Sequence, residues 1–277
     1  MRLPPHVFHL LSNCRPQPRI RRYGRVAANC RPRRLDPQIS SNARGPNPNV
    51  TVLERLAAKP AFTGRVIACT TWQVFPAIYH HARSGLPQWV SGQKSPRGSA
   101  TPGLAEIERW MEDIPSKARD EHYDAFAYRA ASEFIETVQP RVLHLALGEP
   151  DTWAHGRHYD SYLTSIRNCD RFIRIIWEKL QSLPAYRGTT TLLLSPDHGR
   201  GNTAQDWTGH NAKTPHSEET WLAALGPDTP ALGEHGADGS ATQGQLAATM
   251  AALLGENFRE SFPGAAAPIA TLLATAK

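Results

Sequence analysis

The sequence lacks any apolar run approaching the roughly 20 residues that a membrane-spanning helix needs. It therefore predicts no transmembrane segment within its 277 residues. The apolar core of a signal peptide is missing as well, because prolines and histidines interrupt residues 1–14. The sequence thus indicates no export signal, and it leaves the compartment open.

Closely spaced cysteines are also absent. The four cysteines form no CxxC motif, which argues against a disulfide scaffold. Cys69 falls in a predicted strand and Cys169 in a predicted helix, where cysteine usually packs as a small apolar residue.

Acidic side chains are missing from residues 1–35, which hold nine arginines and no lysine. Of the 31 basic residues, 22 remain for the rest of the chain against 25 acidic ones, so the body is mildly acidic although the whole chain carries +6. A solvated tail explains this basic segment better than a nucleic-acid-binding arm does. We predict residues 1–46 to be a basic, Pro/Arg-rich segment, disordered or out of frame, and residues 47–277 to be the folded domain.

Apolar periodicity begins near Asn49 and alternates between strand and helix patterns. Such alternation favours an α/β fold with a largely parallel sheet covered by helices on both faces. Residues 87–103 are rich in Gly, Ser and Pro, which indicates a surface loop. The predicted strands are residues 64–71, 141–147, 189–194 and 220–225, and the predicted helices are residues 50–56, 104–111, 123–138, 159–183 and 243–254.

Two of these strands run directly into an aspartate and a histidine. Asp151 and His155 follow the strand at 141–147, and Asp197 and His198 follow the strand at 189–194. Because the carboxyl ends of parallel strands meet at one edge of a sheet, we expect the two pairs to converge there. His210 adds a third imidazole, and such a set of nitrogen and oxygen donors suits divalent cations.

The order Asp151-x-x-x-His155, Asp197-His198-Gly199 and a later His210 resembles the alkaline phosphatase superfamily. That family includes the nucleotide pyrophosphatase/phosphodiesterases and the cofactor-independent phosphoglycerate mutases. The resemblance implies two divalent ions, zinc or alternatively manganese, that hydrolyse a phosphate mono- or diester through a covalent phosphoryl intermediate. It assigns Asp151, His155 and His210 to the first ion and Asp197 and His198 to the second. His216 is the rival of His210, and a small-molecule phosphate ester is the implied substrate.

Two features of that family are not recognisable here: a first strand that ends in a metal-binding aspartate, and the Ser or Thr nucleophile. We therefore expect the sheet to lack its first strand, and we hypothesise a truncated or frame-shifted N-terminus. The catalytic nucleophile is unknown, and only one metal ion is retained in the alternative interpretation. The alternatives are an inactive or single-metal binding domain, and a sulfatase or phosphomutase of the same superfamily.

Further polar residues adjoin the predicted ligands in sequence. Glu149, Arg200 and Asp206, together with Trp153, are candidates to orient the imidazoles or to meet a substrate phosphate, with an ordinary structural role as the alternative. The other histidines that we weighed are expected to be surface or core residues: His144, His158, His216 and His235.

Overall fold

A single six-stranded sheet forms the centre of the computed structural model, which describes residues 5–12, 45–93, 101–116, 121–234 and 241–273. The strand order is β3-β2-β4-β1-β5-β6. Neighbouring strands run parallel except β6, which is antiparallel to β5. The strands are β1 (His6–Ser12), β2 (Val66–Thr70), β3 (Gln88–Val90), β4 (Val142–Leu147), β5 (Thr190–Ser195) and β6 (Ala223–Leu225).

Helices cover both faces of this sheet. Short 3₁₀ turns lie at Pro60–Phe62, Gln243–Gln245 and Ala270–Leu272. The helices are α1 (Val52–Ala57), α2 (Phe75–Ile78), α3 (His81–Ser84), α4 (Pro102–Asp113), α5 (Asp124–Thr137), α6 (Glu149–His155), α7 (Tyr159–Ser182), α8 (Leu246–Leu253) and α9 (Phe258–Ser261).

Alternate residues of each strand enter two separate cores. On one face Phe8 packs with residues of α4, α5 and α7, where Tyr128 and Phe172 stack with ring centroids 4.4 Å apart. On the other face Val7 packs with Leu56 of α1 and Met250 of α8. Because successive side chains of a strand point to opposite faces, the strands are apolar along nearly their whole length.

The predicted fold class is confirmed, since helices enclose a mostly parallel sheet on both sides. The four predicted strands and the main predicted helices are present, with ends shifted by a few residues. Cys69 and Cys169 are buried free thiols, as expected for apolar packing, whereas Cys14 and Cys30 lie outside the described residues. Across the described parts of the chain, no helix has the length and hydrophobicity that crossing a bilayer requires.

The prediction of a surface loop over residues 87–103 is wrong at its beginning, because Gln88–Val90 forms the edge strand β3 and pairs with β2. Trp89 and Val90 are buried there. A strand of three residues is too short to show the alternation by which strands are recognised in a sequence.

The expectation that the sheet lacks its first strand is also wrong. His6–Ser12 forms β1 in the middle of the sheet, paired in parallel register with β4 on one side and β5 on the other. Val7 and Phe8 are fully buried, so this part of residues 1–46 belongs to the core. The strand does not end in an aspartate, since Ser12 is followed by Asn13 and Cys14. The domain boundary and the out-of-frame origin of residues 1–34 stay predictions.

Buried hydrogen bonds explain how a strand with two histidines can occupy the centre of a sheet. His9 Nδ1 lies 3.1 Å from His144 Nδ1, and His9 Nε2 lies 3.2 Å from Ser195 Oγ. His6 Nδ1 lies 3.3 Å from the hydroxyl of Thr189. Burial lowers the pKa of His9 to about 4 and that of His144 well below its ordinary value, so both imidazoles are neutral near pH 7.

Candidate metal centre

Helix α6 begins directly after β4 and presents two of the predicted ligands on one side. Asp151 and His155 are one helical turn apart, which brings side chains four residues apart together. His155 Nε2 lies 3.2 Å from Asp151 Oδ2. The four-residue spacing of Asp151 and His155 therefore brings their side chains together, as predicted from the sequence.

The loop after β5 carries Asp197 and His198, and its glycine allows close packing of backbone segments. The N–H of Gly199 donates to the carbonyl of Ser217 (2.8 Å). A Cβ atom at Gly199 would lie only 2.2 Å from the carbonyl oxygen of His216 and 2.4 Å from that of Glu219. The loop consequently has room for glycine alone at this position, and its close packing fixes the adjacent His198.

His198 is oriented for metal binding by a hydrogen bond to the backbone. Its Nδ1 lies 2.8 Å from the carbonyl oxygen of Gly199. A carbonyl can only accept, so Nδ1 carries the proton and Nε2 keeps the lone pair. A backbone acceptor on the remote ring nitrogen is the usual support of a metal-binding imidazole.

His210 completes the cluster from the segment that follows the His198 loop. Its ring stacks on His198 with centroids 3.7 Å apart, and its Nε2 lies 2.9 Å from His155 Nε2. The Nε2 atoms of His210 and His198 lie 3.6 and 3.9 Å from Asp151 Oδ1. Three imidazoles thus aim the same ring nitrogen at one carboxylate.

These distances fit a metal ion. Ligand atoms of Asp151, His198 and His210 all lie within 4.8 Å of one another. A tetrahedral ion with bonds of about 2.1 Å separates its ligand atoms by about 3.4 Å, close to the distances within this cluster. Two imidazole nitrogens 2.9 Å apart are also the arrangement that a shared cation would hold.

The electrostatics favour the cation-binding forms of Asp151, His198 and His210. Burial opposes ionisation of Asp151, but the hydrogen bond with His155 and the Arg200 charge outweigh it and lower its pKa to about 2. Burial lowers the pKa of both His198 and His210, which favours their neutral, lone-pair form. The pKa of His155 is raised, chiefly by its hydrogen bond with Asp151.

Asp197 lies at the edge of the cluster, with Oδ2 3.5 Å from His198 Nε2. Its side chain keeps 38 % of its exposure, yet surrounding protein and then the negative charge of Asp151 raise its pKa to about 7. The negative charge of each carboxylate opposes ionisation of the other, and a cation between them would remove this repulsion.

The other candidate polar residues have different positions. Arg200 is almost completely buried, forms an ion pair with Asp151, and donates to the carbonyl of Trp207 (3.1 Å). Asp206 Oδ1 accepts from the backbone and the hydroxyl of Thr203 (2.8 and 2.7 Å), which makes it part of a local turn. Arg200 therefore contacts a predicted ligand directly, whereas Asp206 bonds within its own turn.

Glu149 acts on the opposite side of α6, together with Asp124, which the sequence interpretation missed. Asp124 accepts hydrogen bonds from the N–H groups of Gly148 and Glu149 (2.7 and 3.1 Å) at the beginning of α6. Glu149 in turn accepts from the Asp124 N–H (2.8 Å) and from Trp153 Nε1 (3.2 Å). This reciprocal bonding fixes α6, although no sequence motif links two residues 25 positions apart.

The side chain of the rival histidine has a different partner. His216 Nδ1 contacts Glu219 at 3.1 Å in a surface turn. His144 is buried in the bonded cluster with His9, and His158 is exposed with its ring against Trp153. His235 lies outside the described residues.

Comparison with solved structures identifies the architecture. Ps i-CgsB, in complex with k-i-k-neocarrahexaose, matches 96 % of this chain and 75 % of its own, with a TM-score of 0.58 and 14 % identity. A protein in the alkaline phosphatase superfamily from Vibrio parahaemolyticus matches 92 % of this chain and 67 % of its own, with a TM-score of 0.57 and 11 % identity. The fold is alkaline phosphatase-like.

Alkaline phosphatase from the Antarctic bacterium TAB5 is similar too, over 92 % of this chain and 100 % of its own, with a TM-score of 0.51 and 11 % identity. Sequence comparison gave no match to a protein-family model and no match among curated proteins. The alkaline phosphatase-like fold therefore rests on structural similarity at low sequence identity.

Proposed function

We propose that this chain binds a divalent metal at Asp151, His155, Asp197, His198 and His210 and hydrolyses a phosphate mono- or diester. The observation that carries the proposal is the convergence of three imidazole Nε2 atoms on the Asp151 carboxylate. The alkaline phosphatase-like fold supports it, because this cluster follows the carboxyl ends of β4 and β5.

The roles of the residues follow from their contacts. Asp151, Asp197 and the three histidines would hold the metal, with zinc as the expected ion and manganese as the alternative. Such an ion would act as a Lewis acid on a phosphate oxygen and make water a competent nucleophile at neutral pH. Arg200 holds the Asp151 carboxylate in place, and the Gly199 carbonyl holds the His198 ring.

The attacking group is not assigned by this geometry. Ser195 is the hydroxyl nearest in sequence to Asp197, but it is 2 % exposed and bonded to His9. It is therefore a structural residue rather than a nucleophile. The cluster offers metal ligands and a buried cation.

A direct test is hydrolysis of chromogenic esters by the purified full chain. The protein is stripped with a chelator, reloaded with zinc or manganese, and assayed with p-nitrophenyl phosphate and bis(p-nitrophenyl) phosphate. We expect turnover only after reloading. p-Nitrophenyl sulfate, assayed in parallel, would reveal the sulfatase alternative.

A matched pair of variants controls this assay. His210→Asn removes a proposed ligand, whereas His216→Asn changes the rival histidine, whose left-handed backbone (φ 67°) asparagine tolerates. We expect loss of turnover by at least about 100-fold in the first variant only. Turnover that survives His210→Asn would refute the site, and metal binding without turnover would favour the binding-domain alternative.

A further inference from the structure

We propose that a cavity between α5, α6 and α7 binds an organic ammonium ion. The cavity has a volume of about 560 Å³, which is typical of small-molecule sites. Its lining combines aromatic rings with carboxylates, and this is the chemistry that recognises alkylammonium groups. This second site is separate from the proposed metal centre and does not rest on it.

The cavity lies on the side of α6 that faces away from the proposed metal ligands. Glu149 and Trp153, one helical turn apart, line the cavity. The proposed ligands Asp151 and His155 follow them by two positions each in the same helix. Two positions correspond to a rotation of about 200° around the helix axis, so the two pairs point to opposite sides. Helix α6 therefore separates the cavity from the metal centre.

Aromatic side chains from three parts of the chain line the cavity. Those among the described residues are Tyr123, Phe126, Trp153 and Phe172. Tyr123 and Phe126 are arranged edge to face with ring centroids 6.4 Å apart, and Phe172 is fixed by stacking on Tyr128. A cation within about 6 Å of a ring centroid is attracted by the electrons of the ring face. Packing holds these rings in place before a ligand arrives, which reduces the entropy lost on binding.

Glu149 places a buried carboxylate in the same cavity. It is 7 % exposed, and its two oxygens accept from the Asp124 N–H (2.8 Å) and from Trp153 Nε1 (3.2 Å). Both donors are electrically neutral, so these bonds orient the carboxylate without cancelling its charge. A buried charge is costly unless an opposite charge pairs with it, and a ligand cation would provide that charge. The bond to Trp153 also holds the indole beside the carboxylate, so one ammonium group can contact both.

Helix α7 adds a second carboxylate and a row of neutral polar groups. Asp160 lines the cavity and is exposed, so an entering ligand meets its charge. Arg171, a basic residue of the lining, is also exposed and lies over the Phe172 ring, with its Cζ atom 5.2 Å from the centroid. The neutral polar residues of this wall are Ser161, Thr164, Ser165 and Asn168. Their hydroxyl and amide groups suit a cation that also carries a hydroxyl group.

The test compares two ligands of the same shape. Choline carries a quaternary ammonium group and a hydroxyl, and 3,3-dimethylbutan-1-ol is its uncharged isostere. Isothermal titration calorimetry on the full chain measures the affinity for each. We expect choline to bind at least about tenfold more tightly, because only choline gains from the rings and carboxylates as a cation. Equal affinities, or no detectable binding of choline, would overturn the proposal.

Two exposed aspartates of α7 give a matched pair of variants for the charge. Asp160 lines the cavity, whereas Asp170 is not among its lining residues. Asp160→Asn should weaken choline binding by at least about twofold, the modest effect that an exposed charge has. Asp170→Asn should leave it unchanged. Equal losses in the two variants would mean that choline responds to the general charge of the surface, and they would refute the cavity as its site.

Trp153 tests the aromatic contribution. Trp153→Leu should weaken choline binding by at least about fivefold, whereas Trp153→Phe, which keeps a ring, should stay within about threefold of the unaltered chain. Equal losses in both variants would contradict an aromatic role. Circular dichroism checks the fold; if either variant fails to fold, the two ligands and the aspartate pair decide. Because the site is separate from the metal centre, choline binding should persist in the presence of a chelator, so this proposal and the proposed function fail separately.

Discussion

At Gly199, the loop that carries Asp197 and His198 packs directly against the backbone of residues 216–219. A methyl group there would come within 2.4 Å of two carbonyl oxygens, and backbone atoms cannot move aside as a flexible side chain can. We expect Gly199→Ala to shift His198 and to weaken zinc binding by at least about tenfold, measured by competition titration. Gly264→Ala is the matched control, since no atom lies within 4 Å of its Cβ position; equal affinities in the two variants would contradict this account.

The residues that the structure brings together could be predicted from the sequence, because each Asp/His pair follows a strand at a spacing that geometry makes informative. Arg200 and Glu149 were named as candidates because they adjoin the predicted ligands in sequence, but their bonding partners could not be predicted. Arg200 meets Asp151 across 49 positions, and Asp124 meets Glu149 across 25. Such pairs depend on how α5, α6 and the His198 loop pack, and a single arginine or aspartate in the sequence carries no local signal of its partner. The same limit applied to His216, whose sequence distance from the other ligands suited the site almost as well as that of His210.

At the scale of elements, β1 shows why a sequence can conceal a central strand. His6 and His9 interrupt an otherwise apolar stretch, and the prolines and arginines around it are typical of a solvated segment. In the sheet both histidines become neutral and bonded, to partners on β4, β5 and the turn before β5. The two polar side chains therefore indicated buried hydrogen bonds to neighbouring strands rather than a solvent-exposed segment. β4 and β5, of six residues each, were predicted correctly from their runs of leucine and β-branched side chains.

The buried histidines of β1 predict a dependence of stability on acid. The pKa of His9 is about 4 in the fold, against 6.5 when exposed, so the unfolded chain binds more protons between these values. Stability is therefore unaffected by His9 above pH 6.5 and falls as pH decreases toward 4, by up to about 3 kcal/mol. Urea unfolding of the metal-free chain at pH 7, 6 and 5 measures this slope.

The variants for this experiment are His9→Gln and His158→Gln. Glutamine at position 9 keeps a hydrogen-bonding side chain but does not titrate, so the acid dependence should become shallower. The exposed His158 should not contribute, and its variant should follow the unaltered chain. An unchanged slope in His9→Gln would mean that His9 is not the buried neutral group described here.

At the scale of the whole molecule, the proposed metal ligands come from three segments beyond the carboxyl ends of β4 and β5. α6 extends from β4, the His198 loop extends from β5, and His210 comes from the segment that packs against that loop. Four ligands with partly unbalanced charges lie within one cluster, so a bound ion stabilises the folded chain and not the unfolded one. Folding and binding of the proposed metal would be linked equilibria, so thermal stability would report on binding even without a substrate.

Zinc at about 1,000 times its dissociation constant should add about 4 kcal/mol to the free energy of unfolding, which corresponds to a rise in Tm of about 10 °C for a chain of this size. The shift should grow with the logarithm of free zinc and disappear on chelation. His210→Asn should lose most of it because one of the converging ligands is gone, whereas His216→Asn should retain it. Calorimetry at several zinc concentrations measures the effect. An equal shift in both variants would place the stabilising ion elsewhere in the molecule, because the two histidines differ in that only His210 contacts the other ligands.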